Sequence, residues 1–102
     1  MYKNESDVGR ALVDSGIPRS EIFITTKIVE PVGDVDETLE SCRESVRRCT
    51  GGKRGVWEGG DGYVDLFLVH SPRAGPQARR VVWLALERLK EEGGAREIGV
   101  SN

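Results

Sequence analysis

Three short apolar runs, each preceded by a helical pattern, constrain the fold of this chain more than any other feature. The runs lie at 22–26, 63–69 and 98–100 and include the β-branched and aromatic residues that favour strands. A continuous apolar run is typical of a strand that is buried on both faces. Helical segments between such strands imply parallel pairing with right-handed crossovers. The sequence therefore predicts an α/β fold with a parallel sheet.

The helices are indicated by apolar residues that recur every three or four positions. This spacing predicts helices over 6–15, 35–48 and 78–92. Asp34 and Glu37 stand three residues apart at the start of the second helix, in the spacing of a capping box. The chain thus has the order helix, strand, helix, strand, helix, strand.

The glycine-rich segment 50–62 interrupts this pattern, because glycine loses much conformational freedom in any regular element. We interpret it as an exposed loop in which Trp57 is a partly exposed aromatic residue. Cys42 and Cys49 lie seven residues apart in the second predicted helix. That spacing separates their backbones by about 10 Å of helical rise, too far for a disulfide. We interpret them as ordinary helix residues and predict no metal site.

Two architectures fit the predicted order, the doubly wound open sheet and the eight-stranded barrel, and periodicity does not distinguish them. Lys27, His70 and Asn102 each follow directly after a different predicted strand. Parallel α/β sheets place their chemistry at the carboxyl ends of the strands. The sequence therefore predicts a functional site there.

Charge and hydropathy narrow the class of partner. The formal net charge is -2, with acidic and basic residues mixed along the chain, so no basic patch indicates nucleic acid or an anionic membrane. The longest apolar run, at 66–69, is far shorter than the roughly 20 residues that cross a bilayer. The N-terminus lacks the pattern of a secretion signal. We expect a cytoplasmic protein with a small-molecule partner.

Four sequence blocks resemble the aldo-keto reductase family, in the family's order and spacing. They are YKNE at 2–5 with Val8 and Gly9, IFITTK at 22–27, YVDLFLVHSP at 63–72 and EIGVSN at 97–102. The resemblance implies a (β/α)8 TIM barrel that binds NADPH and reduces an aldehyde or ketone to the alcohol. Residues 1–102 would form a partial reductase domain, an incomplete barrel of about three consecutive helix-strand units.

By position, the resemblance implies a role for five residues. Tyr2 matches the proton-donating tyrosine, Lys27 the lysine that tunes it, and His70 the histidine that orients the carbonyl. Ser101 and Asn102 match the pair that holds the nicotinamide carboxamide. These roles suit the chemistry, because hydride addition leaves negative charge on oxygen and calls for a nearby acid. An ammonium group lowers the pKa of a neighbouring phenol, and an imidazole can donate a second hydrogen bond to the same oxygen.

The sequence also departs from the family. Members usually have an aspartate shortly before the tyrosine and, later in the chain, a basic loop for the cofactor's 2′-phosphate, and neither is present. We therefore expect this chain alone to be a truncated, inactive fragment. The alternative is a noncatalytic module of the same barrel family that senses the cofactor or mediates interactions. The joint presence of Tyr2, Lys27 and His70 favours the enzyme.

Overall fold

Helices and strands alternate along the chain in a computed structural model that describes residues 5–28, 30–70 and 75–101. The elements are α1 (Glu5–Ser15), β1 (Thr25–Ile28), α2 (Val35–Cys49), β2 (Val64–His70), α3 (Gly75–Glu91) and β3 (Ala95–Ser101). Two short 3-10 helices, Arg19–Glu21 and Val56–Glu58, lie before β1 and β2. The predicted order of helices and strands is confirmed.

The three strands form one parallel sheet in the order β1-β2-β3. Lys27 pairs with Leu68, Leu68 pairs with Gly99, and His70 pairs with Ser101. We call the end of the sheet at His70 and Ser101 its carboxyl end, and the opposite end its amino end. The predicted parallel pairing is confirmed.

The helices share one face of the sheet, which distinguishes the two architectures that the sequence left open. Helix α1 packs against α2, and α2 packs against α3. In β2, Phe67 and Val69 are buried towards these helices, whereas Leu68 and His70 on the other face are only half-buried. A doubly wound sheet carries helices on both faces, but a barrel keeps one face for its interior. The arrangement is therefore that of a partial (β/α)8 barrel.

The hydrophobic core lies between this sheet face and the helices α2 and α3. Its members are buried to within a few per cent of complete exclusion from solvent, and the largest are Phe67, Leu39, Leu86, Leu89, Val46, Val64 and Val82. Helix α2 begins as predicted with a capping box. The Glu37 backbone N–H donates to the Asp34 side chain at 2.8 Å, and the Asp34 N–H donates to Glu37 Oε1 at 3.4 Å. This box satisfies donors that would otherwise be unpaired at the helix start.

The predicted bounds of the strands need correction. Strand β1 begins at Thr25 rather than at residue 22, and the side chain of Phe23 just before it is 71% exposed. The reason is a contact that is distant in sequence, because the Ile24 N–H donates to the Asp65 carboxylate at 2.7 Å instead of to a neighbouring strand. Strand β3 covers seven residues rather than three, since backbone pairing with β2 extends through polar Arg96 and Glu97.

The segment 50–62 is less exposed than predicted. Gly55 and Gly62 are buried and form a bridge, in which the Val56 N–H donates to the Gly62 carbonyl at 3.1 Å. Trp57 is half-buried and packs against the core, and the guanidinium of Arg47 lies 5.5 Å from the centre of its ring. Arg47 also donates from Nε to Glu58 Oε1 at 2.8 Å. Ion pairs and aromatic packing therefore hold this segment on α2.

Candidate active site

Lys27 and His70 lie on the same face of the sheet, the face opposite the helices. Lys27 is level with Leu68, two residues before His70 on the adjacent strand, and side chains alternate between faces along each strand. With strands about 4.8 Å apart and a rise of about 3.3 Å per residue, their Cα atoms are separated by about 8 Å. The prediction that both residues follow their strands is wrong in detail. Lys27 lies inside β1, and His70 is the last residue of β2.

His70 has an unusual hydrogen-bonding state. The residue is half-buried, and its Nδ1 is shielded from solvent without a hydrogen-bond partner in the part of the chain that the structure describes. Leaving a buried polar atom unpaired costs about 1–3 kcal/mol. Native proteins retain few such groups, and those at a functional site are available to a bound molecule. The imidazole of His70 can therefore bind a polar atom of a ligand.

Lys27 is half-buried, and its ammonium forms no ion pair or hydrogen bond with the residues in 5–28, 30–70 and 75–101. Its neighbours Thr26 and Ile28 are 4% and 3% exposed on the helical side of the sheet, so the strand that carries Lys27 is well anchored. A cation held on a rigid strand without a carboxylate partner can stabilise negative charge on a bound group.

Ser101 and Gly99 form the β3 side of the same region. Ser101 is half-buried and lies level with His70 on the adjacent strand. Gly99 lies level with Leu68, and a Cβ atom at Gly99 would stand 3.1 Å from Leu68 Cδ2. A larger residue there would press on the neighbouring side chain, so the glycine leaves room on this face.

Of the five predicted site residues, the structure brings together Lys27, His70 and Ser101. Tyr2 and Asn102 lie outside the described residues, and their roles stay predictions. Sequence analysis missed Glu5, which belongs to the YKNE block but is only 3% exposed in the first turn of α1. A signal was present, because a carboxylate that follows three residues after a candidate catalytic tyrosine is close to it along the chain.

The two cysteines are buried and free. Burial, with a smaller contribution from the charge of Glu5, raises the pKa of the Cys42 thiol to about 12. Burial is also the main cause that raises the pKa of Cys49 to about 12, again with the charge of Glu5 next. Because the thiolate is the nucleophilic form, neither residue is suited to covalent catalysis at neutral pH. This agrees with their interpretation as ordinary helix residues.

A search of the helices in the described ranges finds none long and apolar enough to span a bilayer. The cytoplasmic location expected from the sequence stays a prediction.

Comparison with known proteins places this geometry in a family. The model of the Aldo/keto reductase family matches residues 1–102. An aldo-keto reductase of Mycobacterium tuberculosis is 41% identical over 102 residues, which cover 99% of this chain and 32% of the relative. This chain thus spans about a third of the length of the curated relatives it matches.

Solved structures agree in fold as well as in sequence. The aldo/keto reductase from Brucella melitensis superposes with a TM-score of 0.77 at 38% identity, covering 96% of this chain and 34% of that one. The Bombyx mori aldo-keto reductase in complex with NADP superposes with a TM-score of 0.69 at 28% identity, covering 97% and 33%. The sequence blocks, the one-sided helical packing and these matches lead to one conclusion. The chain belongs to the aldo-keto reductase family.

Proposed function

We propose that this chain contributes the catalytic residues for NADPH-dependent reduction of an aldehyde or ketone to the alcohol. The observation that carries the proposal is the pairing of Lys27 and His70 on the interior face of the sheet, near its carboxyl end. Each has a polar group without a partner in the described structure, and such groups are the ones that can act on a bound substrate.

The roles of the side chains follow from the charge that develops in the reaction. NADPH, when bound, supplies the hydride that adds to the carbonyl carbon. The carbonyl oxygen then gains negative charge, and a hydrogen bond from the neutral imidazole of His70 would orient and stabilise it. Tyr2 would donate the proton from its phenol. The ammonium of Lys27 would favour the phenolate that remains and so make Tyr2 a stronger acid.

The residues at the end of β3 suit the nicotinamide end of the cofactor. Ser101 lies level with His70, and Asn102 is the next residue along the chain. A hydroxyl and a side-chain amide together offer donors and acceptors that match a carboxamide group. NADP is bound in the solved Bombyx mori relative. These points support NADPH as the cofactor, held in part by Ser101 and Asn102.

The experiment that tests this function uses the complete gene product that contains residues 1–102. NADPH absorbance is followed with a panel of aldehydes and ketones, and NADPH affinity is measured separately by fluorescence titration. We expect substrate-dependent oxidation of NADPH that falls about 10²-fold or more in His70→Ala, while NADPH affinity changes little. NADPH binding without any turnover would contradict the reductase and favour the noncatalytic cofactor-sensing module instead.

A further inference from the structure

Glu5 is a buried carboxylate with partners on two other elements. Its Oε2 accepts hydrogen bonds from Thr26 Oγ1 of β1 and from Ser45 Oγ of α2, each at 2.6 Å. Its Oε1 accepts from Arg48 Nε of α2 at 3.2 Å. The residue is only 3% exposed, and charged groups are rarely buried this deeply unless they are paired. One side chain therefore joins α1, β1 and α2.

The way α1 is attached makes this carboxylate more important than its single charge suggests. The buried residues of α1 are Glu5 and Gly9, while Val8 and Val13 are 42% and 53% exposed. Gly9 lies so close to the end of α2 that a Cβ atom there would stand 2.1 Å from the Arg48 carbonyl oxygen. The helix thus docks mainly through a close backbone approach and a polar network, in which hydrogen bonds are directional.

The position of Glu5 connects this network to the proposed catalytic residues. Its partner Thr26 is adjacent to Lys27 on the anchored strand β1. Tyr2 precedes Glu5 by three residues, and the chain length limits the separation of their Cα atoms to about 11 Å. Movement of the first turn of α1 would therefore change the distance between the phenol of Tyr2 and the ammonium of Lys27.

We propose that Glu5 is a positioning residue for the reduction, because its carboxylate fixes the start of α1 against β1 and so holds Tyr2 beside Lys27. The inference rests on the function proposed above. A displacement of about 1 Å between reacting groups can reduce a rate about 10²-fold, so a network of three directional hydrogen bonds has a large effect on rate.

The test compares three variants of the complete gene product. Glu5→Ala removes every contact of the carboxylate. Glu5→Gln retains an oxygen that can accept from Thr26 and Ser45 but loses the charge that pairs with Arg48. The matched control is Asp65→Asn, which weakens another partly buried ion pair, between Asp65 Oδ2 and Arg19 Nη2 at 2.8 Å, at the amino end of the sheet.

Two readouts separate positioning from stability. The first is kcat per folded molecule together with KM for NADPH. The second is ionisation of the Tyr2 phenol, followed by ultraviolet absorbance during an alkaline titration, with the Tyr2→Phe spectrum subtracted to remove Tyr63 and other phenols. This second readout does not require turnover, so it tests the position of Tyr2 even if the proposed activity is absent.

We expect Glu5→Ala to lower kcat about 10- to 100-fold with KM for NADPH within about twofold, and to move the Tyr2 titration up towards the ordinary phenol pKa of about 10. Glu5→Gln should show both effects to a smaller extent. Asp65→Asn should unfold at lower denaturant concentration but keep the wild-type kcat and titration.

A wild-type titration curve for Tyr2 in Glu5→Ala would overturn the positioning role, whatever the stability of the variant. If Glu5→Ala does not fold, Glu5→Gln decides by the same criterion. A wild-type protein without turnover refutes the proposed function, yet a shift of the Tyr2 titration between the wild type and the Glu5 variants would still support the positioning role.

Discussion

The two ends of the sheet treat polar side chains in opposite ways. At the amino end, Arg19 donates to the carbonyl oxygens of Ile22 at 2.6 Å and Tyr63 at 3.0 Å, and to the Asp65 carboxylate at 2.8 Å. Its guanidinium also lies 4.1 Å from the centre of the Tyr63 ring, and only its Nε is left without a partner in the described structure. Near the carboxyl end, Lys27 and His70 form no such bonds within the described ranges.

This difference separates stability from chemistry along the strands. The contacts of Arg19 and Asp65 link the segment before β1 to the start of β2, and they stabilise the fold. The unpaired groups of Lys27 and His70 reduce stability but remain available to a ligand. Barrels of this architecture generally have their active sites at the carboxyl ends of the strands and use the opposite end for stability. Substitutions at the two ends should therefore change different measured quantities.

The largest effect is expected for Tyr2→Phe, which removes the proposed acid of the active site. General acid catalysis contributes about 10²- to 10⁴-fold, so carbonyl reduction by the complete gene product should fall by that order. The unfolding midpoint and NADPH affinity should change little. Initial rates at saturating NADPH and a denaturant titration measure both quantities. Retention of more than about a third of the rate would rule out the role assigned to Tyr2.

The corresponding substitution at the amino end is Asp65→Asn, which should lower the free energy of unfolding by about 2 kcal/mol. Its carboxylate accepts from Arg19 and from the Ile24 N–H, and the Arg19 and Asp65 side chains are 17% and 12% exposed. Loss of the negative charge leaves a half-buried guanidinium without its ionic partner. Urea unfolding measures the change, and kcat of the folded variant should match the wild type. A lower kcat at unchanged stability would contradict the separation of the two ends.

A smaller effect is expected for Asn102→Ala, at the residue that follows β3 directly. If its amide binds the nicotinamide carboxamide, its removal should weaken NADPH binding by roughly 1–3 kcal/mol, the cost of leaving a buried polar partner unpaired. Fluorescence titration with NADPH measures this loss, and Asp65→Asn serves as the control that should bind normally. An unchanged dissociation constant would show that Asn102 has another role.

The features that the sequence predicts well are those that depend on neighbours along the chain. The capping box at Asp34 and the apolar periodicity of α2 and α3 are local, and the structure confirms them. The place where β1 begins is not local, because Ile24 is paired by Asp65 of another element. The burial of Glu5 likewise depends on Thr26 and Ser45, which are 21 and 40 residues away along the chain. No pattern near Glu5 in the sequence contains that information.

The candidate site divides in the same way. The strand ends predicted that Lys27 and His70 lie near one another, because parallel strands bring their carboxyl ends together. Their common face required the register, which pairs Lys27 with Leu68, two residues before His70. The loop 50–62 was interpreted from its glycines alone. Its packing depends on Trp57 and on arginines of α2, whose partners could not be identified from spacing.

The smallest effect concerns the core between the two ends and should be absent at neutral pH. Cys42 and Cys49 are protonated in both the folded and unfolded states near pH 7, so their thiols do not affect stability there. Burial raises the pKa of each to about 12 in the folded state, whereas an unfolded thiol titrates near 8.5. Between these values the unfolded chain loses protons that the folded chain retains, which favours unfolding as the pH rises.

We therefore expect the free energy of unfolding to fall as the pH rises above about 8.5, and to fall less in Cys42→Ala, compared with its own value at pH 7. Urea titrations of both proteins at pH 7 and pH 10 measure this difference of differences, which removes the constant cost of the cavity that the substitution leaves. A thiol reagent should react with Cys42 and Cys49 in urea but only slowly in the native protein. Equal pH dependence in the two proteins would contradict burial of the Cys42 thiol, and the core could then not serve as the neutral reference between the two ends.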